Sequence, residues 1–364
     1  MNRKQFILLL VLAALVGSAG LIVYRHNHGA WENSGTAIGG KLLPGLSIND
    51  VAQIHIQSGT NTLLLARRDN LWRVQERGDY PANFSQISDL LLKCAGLKVV
   101  QSLTVGPSQL GRLDLLPPGS PDHAATLVEF KDQTGKTLAT ILLGKKHLKQ
   151  SGASDGMDGL GAGGWPDGRY VMIGAGSDSV AVISDPLDAI QPQPEQWLNK
   201  DFLSIEKPSA IDVQFAVATN SWKLRRSSET NEWQLADART DEKLDSSKLS
   251  NLTSPFSSPG FNDVEPISTN SDLQPSNTVL TVDTFEGLTY VARIGSAKDG
   301  NYPVSFSISA KPSAPPAAAD KAAAAKQYDQ WVYFIPSYTV DEMLKIRSQL
   351  LVQETNSVPA VSAR

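Results

Sequence analysis

The stretch "LLLARRDNLWRV", residues 63–74, sets Arg67 and Arg68 five and four residues before Trp72 in an otherwise apolar run. A guanidinium beside an indole is a common means of gripping phosphate and stacking on a base. The same combination returns in "WKLRRSSETNEWQL", where Arg225 and Arg226 precede Trp233. Arg67, Arg68, Arg225 and Arg226 are therefore the candidate residues for binding a ligand or partner. The sharpest form of that reading pairs Arg67 with Arg225 on one groove. The competing form makes all four the ends of β-hairpins, with stems on apolar surface and heads in water.

Other groups able to do chemistry do not combine into a motif. His26 and His28 could clip a metal, but only Glu32 stands near them as a further ligand. His55 alternates with Ile54 and Ile56 and so faces away from a core. "GLGAGG", Gly159–Gly164, fits the dinucleotide spacing, yet a polar loop precedes it and a proline follows, where a strand and a helix are required. Asp155, Asp158 and Asp167 match neither an EF-hand nor a repeated calcium loop. The pairs Asp241–Glu242 and Asp341–Glu342 fall at helix starts or loops, where carboxylates favourably face a helix dipole. Trp197, Trp222, Trp233 and Trp331 sit at strand spacing and read as packing before sugar stacking. No catalytic, cofactor-binding or metal-binding residue is assigned, and the chain is read as a non-enzyme.

The elements that would position the arginines form a repeat. "VAQIHIQSGTNTLLLARRDNLWRV" and "AIDVQFAVATNSWKLRRSSETNEWQL" each give an alternating strand, a Thr-Asn turn, a second strand ending Arg-Arg, and a third strand carrying Trp. "NFSQISDLLLKCAGL" then places Ile87, Leu90, Leu91 and Cys94 on one helical face. Its counterpart "DSSKLSNLTSPF" predicts a shorter helix through Leu249, Leu252 and Phe256, capped by Asp245. "TLVEFKDQTGKTLATILLG" matches "TVLTVDTFEGLTYVARIG", and "GRYVMIGAGSDSVAVIS" matches "GNYPVSFSIS…QWVYFIP", pairing Tyr170 with Tyr302. Each copy closes on a predicted short helix, "DPLDAIQ" or "YTVDEMLKIRSQLL". Two segments lack a counterpart: "KKHLKQSGASDGMDGLGAGGWPD" as a loop of the first copy, and "KPSAPPAAADKAAAAKQYD" at a hairpin tip of the second. Their low-complexity composition predicts that they bury little.

The ordered series Arg-Arg…Trp, "YPANFSQISDLLLKCAGL", "QLGRLDLLPP", "LLGK" and "QWLNKDF" resembles the domain of unknown function 4340, here in tandem. The resemblance covers most of residues 46–350, although the second copy has a shorter helix and only a faint echo of "GRLDLLPP". It implies a bacterial envelope setting beside an ABC-type exporter of the gliding-motility-associated kind. The partners it implies are a permease, an ATPase and a companion envelope subunit. It assigns no catalytic residues.

Composition narrows the remaining choices. The chain has 364 residues, 33 basic and 37 acidic, with net charge −4. That balance argues against a nucleic-acid binder. Cys94 is the single cysteine, which rules out a disulfide within the chain. The motif GxxxxGK[ST] is absent, so an ATPase would be another subunit. Arg3 and Lys4 precede an uncharged run from Phe6 to Val23, whose helix at ~1.5 Å per residue would span roughly 27 Å. "VGSAG" supplies the small residues of a cleavable signal, but Leu21, Ile22 and Val23 continue the run and favour an uncleaved anchor. The basic residues before the run place the N-terminus in the cytoplasm and the body outside it.

The expected organisation is an anchor over 1–28, a Gly-rich spacer over 29–45, α+β repeats over 46–200 and 201–350, and a disordered tail over 351–364. The fold class is a tandem of β-rich units, antiparallel sheets with helices packed to one side, behind one transmembrane helix. The functional expectation is a membrane-anchored extracytoplasmic binding or scaffold protein of an ABC-type system. A polysaccharide or peptidoglycan binder using exposed tryptophans, and an envelope hydrolase using carboxylates of both repeats, are the alternatives.

Overall fold

The structure is a computed structural model that describes residues 38–148, 166–174, 179–249, 252–257, 259–268 and 278–352. The expected anchor, most of the spacer, the Gly159–Gly164 run and the tail beyond Val352 lie outside the described residues. Among those described, no helix is long and apolar enough to cross a membrane. The fold is β-rich, with antiparallel sheets of nine and eight strands and few helices.

Strand β1 (Gln53–Ser58) buries Ile54 and Ile56 and turns the residues between them outward, as its alternation requires. A two-residue turn at Gly59–Thr60, one position before the predicted Thr-Asn turn, leads into β2 (Asn61–Arg68). Asp69 and Asn70, both at positive φ, then reverse the chain into β3 (Leu71–Val74). Asp and Asn tolerate this conformation, and the twist of such a turn matches that of the flanking strands. A two-residue strand β4 (Tyr80–Pro81) precedes helix α1 (Phe84–Gly96), whose buried residues are Ile87, Leu90, Leu91 and Cys94.

Strands β5 (Val99–Thr104), β6 (Thr126–Lys131), β7 (Thr137–Leu148), β8 (Pro166–Ile173) and β9 (Ser179–Ile183) complete the first sheet. Its order is β4-β3-β2-β1-β6-β7-β8-β9-β5. The second sheet uses β10 (Pro208–Phe215), β11 (Trp222–Arg225), β12 (Gln234–Leu235), β13 (Asp263–Pro266), β14 (Thr278–Thr284), β15 (Leu288–Ile294), β16 (Asn301–Ala310) and β17 (Trp331–Pro336). Its order is β12-β11-β10-β14-β15-β16-β17-β13. Apart from β4 the two orders are the same, including the strand that leaves sequence order to close the far edge.

The chain divides into two compact units: residues up to Gln75 with Phe84–Gln193, and Pro194 onward with the excursion Glu76–Asn83. The expected boundary at 200/201 thus falls inside the second unit. In that unit Tyr80 lies edge-on to Trp331 and Phe261, with ring centroids 5.0 and 5.9 Å away. Trp331 Nε1 donates to the Arg77 carbonyl, and Arg77 makes a two-pronged ion pair with Asp263 at 2.7 and 2.8 Å.

Several predicted helices are corrected. Among its described residues "DSSKLSNLTSPF" forms a single 3-10 turn, Ser246–Lys248, which Asp245 does cap by accepting from Ser247 N. Serine and asparagine compete for their own backbone and leave too little propensity for a full helix. "DPLDAIQ" is a turn rather than a helix, because Asp185 accepts from Leu187 N while Pro186 donates nothing. The closing helix is broken into α-helical Ser337–Val340 and 3-10 turns at Asp341–Leu344 and Arg347–Leu350, with Ile346 extended. Trp233 stands just before β12 rather than inside it. "KKHLKQ" is not simply loop, since β7 runs on to Leu148. The Ala/Pro tract also forms a helix, α2 (Pro316–Ala325), which buries Ala318 and Ala322. Alanine has the highest helix propensity, and those two are one turn apart.

Candidate functional site

The four candidate arginines occupy different settings. Arg67 and Arg68 are exposed at the end of β2, opposite Trp72 and Leu71 across the hairpin. Trp72 itself is buried in the first unit, so its ring covers the sheet. Arg225 ends β11 and gives Nη1 to the Leu224 carbonyl. Arg226 lies over the Trp233 ring at 4.7 Å and donates to the carbonyls of Pro208 and Glu229. Arg226 is therefore engaged in holding its own loop, a cation–π contact of the ordinary surface kind. Arg67 and Arg225 belong to separate units.

Of the four tryptophans read as packing, Trp197, Trp222 and Trp331 are buried, whereas Trp233 is only half-buried. Trp222 Nε1 donates to the Lys345 carbonyl at 2.7 Å, so its one polar atom is satisfied inside. Glu242 does not face a helix dipole. It receives both Nε and Nη2 of buried Arg347, at 3.0 and 2.7 Å, while Nη1 reaches Asp237 at 2.9 Å. The Arg347 bonds hold the Glu242 carboxyl down at about 2. Asp341 accepts the Tyr302 hydroxyl at 2.8 Å.

Three histidines meet carboxylates that spacing did not reveal. His55 Nδ1 is 3.2 Å from Glu129, His123 Nδ1 is 2.6 Å from Asp114, and His147 Nδ1 is 2.6 Å from Asp167. A nucleophilic triad needs a hydroxyl or thiol on the other ring nitrogen. Among the described residues no serine or cysteine bonds to these rings. Nor do the described residues contain a group of three or more His, Cys, Asp or Glu able to hold a metal.

Comparison with known proteins returns nothing. No family model, curated protein or solved structure matches this chain.

The site with the most directed chemistry lies in the first unit, where the β1–β2 turn, the start of β6 and the β7–β8 hairpin converge. Ser58, Asn61, Thr126, Lys146, Arg169 and Asp188 line a polar cleft of about 270 Å³. Arg169 is half-buried on β8, opposite Lys146 in the β7 register. It donates Nε to the Gly144 carbonyl at 2.7 Å and Nη1 to the Pro186 carbonyl at 3.2 Å. Among the described residues it makes no ion pair, and burial lowers its pKa. The second unit carries a different cleft of about 300 Å³ between the β14–β15 turn and α2. There Glu286 is neutralised by Lys321 at 2.7 Å and Lys207 at 3.5 Å, above the apolar faces of Leu288 and Ile308.

Sequence spacing alone missed Lys146 and Arg169, because strand register, with the β7–β8 hairpin between them, brings them together. One signal was available. Counting from the matched Gly144/Gly295 and Tyr170/Tyr302, the second copy has Ser296, Ala297 and Asn301 where the first has Lys145, Lys146 and Arg169.

Proposed function

We propose that this chain is a membrane-anchored extracytoplasmic binding and scaffold protein, an accessory subunit of an ABC-type transport system of the cell envelope. The observation that carries the reading is the duplicated sheet: two units of one strand order, which present two related surfaces for recognition. The apolar run Phe6–Val23 supports a single anchoring helix in the cytoplasmic membrane, with the N-terminus inside. The tandem resemblance supports a permease, an ATPase and a companion envelope subunit as partners. The two units are read as copies of one α+β repeat behind that anchor. Burial of Trp222 weakens the sugar-stacking alternative, since a ring with no exposed face cannot stack on a sugar.

Purification of the intact protein from membranes in mild detergent tests the reading. A permease or ATPase subunit is expected to come with it, and its absence from repeated preparations would count decisively against the transporter assignment. Protease treatment of spheroplasts tests the topology. Residues 46–350 are expected to be cleaved, and their protection would place the body on the wrong side.

A further inference from the structure

The first unit contains a half-buried cation, Arg169, that forms no ion pair among the described residues, at the wall of a mainly polar cleft. Arg169 reaches that position because glycine permits the strands to close around it. A Cβ on Gly168 would run into the Ile183 carbonyl, and one on Gly144 into the Leu113 carbonyl. The Gly144 and Pro186 carbonyls fix the guanidinium through Nε and Nη1. Nη2 bonds to no described residue, which leaves a preorganised donor beside the cleft. Asp188, the acid that lines the cleft, is already held by Lys146 at 2.6 Å. With Arg169 and Lys146 positive and Asp188 negative, one positive charge is left over.

The remaining lining carries no charge, and apart from Ile190 and Pro192 it is made of hydrogen-bonding side chains. Thr126 Oγ1 donates to Ser58 Oγ at 3.3 Å, and the Asn61 side-chain amide bonds to no described residue. A cleft of about 270 Å³ is at the lower end for small-molecule sites, so its ligand is small. The second copy shows that the fold does not need these cations. At the matching positions it has Ser296, Ala297 and Asn301, and Asn301 donates its side-chain N–H to the Asp299 carbonyl and accepts from Asn262 Nδ2. Both copies nevertheless build the same strand order.

We propose that this cleft is a binding site, unique to the first unit, for the oxyanion of a small hydroxyl-bearing acid. Arg169 and Lys146 take the carboxylate or phosphate, and Ser58, Asn61 and Thr126 take the hydroxyls. The inference rests on the chain being a binding protein and is independent of its transporter partner.

Calorimetric titration of the full chain in detergent micelles at low salt tests it, with glucuronate, glucose 6-phosphate and glucose as probes. One or both acids are expected to bind, and glucose is not; the preferred acid tells carboxylate from phosphate. Lys146→Gln and Arg169→Gln are each expected to weaken binding by about ten-fold or more, while Lys136→Gln, exposed in the β6–β7 turn of the same unit, leaves it unchanged. Lys146 is exposed, so Lys146→Gln reports on binding even where Arg169→Gln disturbs the hairpin. Failure of both acids to bind by about 10 mM, equal binding of glucose, or unchanged affinity in Lys146→Gln would each overturn the proposal. Co-purification of a permease is unaffected by any of these results, so the two readings fail separately.

Discussion

The ionisation of two side chains in this molecule is set by their surroundings, burial for Cys94 and an arginine for Glu242. Cys94 lies on the covered face of α1 with no exposed surface, and burial pushes its thiol up to about 12. The thiolate is the reactive form, so Cys94 is expected to resist a thiol reagent at neutral pH and to react stoichiometrically once the chain is unfolded. Rapid labelling of the native protein would show that α1 opens. Glu242 carries the opposite shift, its carboxyl held at about 2 against an ordinary 4.5 by Arg347 and by the Arg239 backbone N–H. A depressed carboxylate adds stability that is complete above its unfolded value and lost as pH falls through its folded one. The window here is therefore pH 4.5 down to about 2. Glu242→Gln is expected to cost roughly 2–3 kcal/mol at neutral pH, leaving Arg347 buried with Asp237 alone. Urea unfolding at pH 7 and in the acid window checks it: the variant should lose less stability on acidification than the parent. The sequence showed Glu242 as half of an acidic pair, but nothing local to it points to a partner over a hundred residues away.

At the scale of elements, legibility followed the distance over which each signal acts. The alternation in β1, the Asp69–Asn70 reversal and the four-residue face of α1 are set by neighbours within a few positions, and the structure keeps them. The travel of β5 and β13 to the far edges has no local signal, and it was not read. The paired cations Lys146 and Arg169 depend on a register with a bulge between Leu143 and Lys146, which also escapes spacing. The opposite error occurred at α2, where composition suggested an unburied tract and propensity would have given a helix. Its Ala318–Ala322 face is buried, and Lys321 on the same helix reaches Glu286. Ala322→Glu should place a charge against that packed face and cost about 1–3 kcal/mol. Ala323→Glu, one position on and exposed, should stay within about 0.5 kcal/mol. At about 2–4 °C per kcal/mol for a unit of this size, thermal melts separate the two variants. Equal melting temperatures would mean that α2 does not pack as described.

At the scale of the whole chain, duplication and cooperativity do not coincide. The repeat ends its third strand at Val74 and resumes at α1, yet Glu76–Asn83 between them belongs to the second unit. The reason is aromatic burial. Tyr80 is among the largest fully buried side chains and meets Phe261, Trp331 and Tyr333 edge-on. Burial raises its phenol pKa strongly, and Tyr333 shares the same desolvated environment. Gly78 adds a close approach, since at its positive φ a Cβ would strike the Pro266 ring. A residue numbered in the first repeat therefore stabilises the second. Tyr80→Ala should cost about 3–5 kcal/mol, the range for deleting a buried aromatic ring. Hydrogen exchange locates the loss: amides of β13 and β17, which pair from Asp263 to Pro266 against Phe334 to Trp331, should lose protection. Those of β6, β7 and β8 should keep theirs. The reverse pattern, with the first sheet loosened and the second intact, would assign Tyr80 to the unit that its sequence position suggests. Because a fragment beginning at Pro194 lacks Tyr80 and Arg77, the same argument predicts that it folds less stably than that segment does in the full chain. Adding a peptide of residues 76–83 in excess should recover part of the difference by mass action.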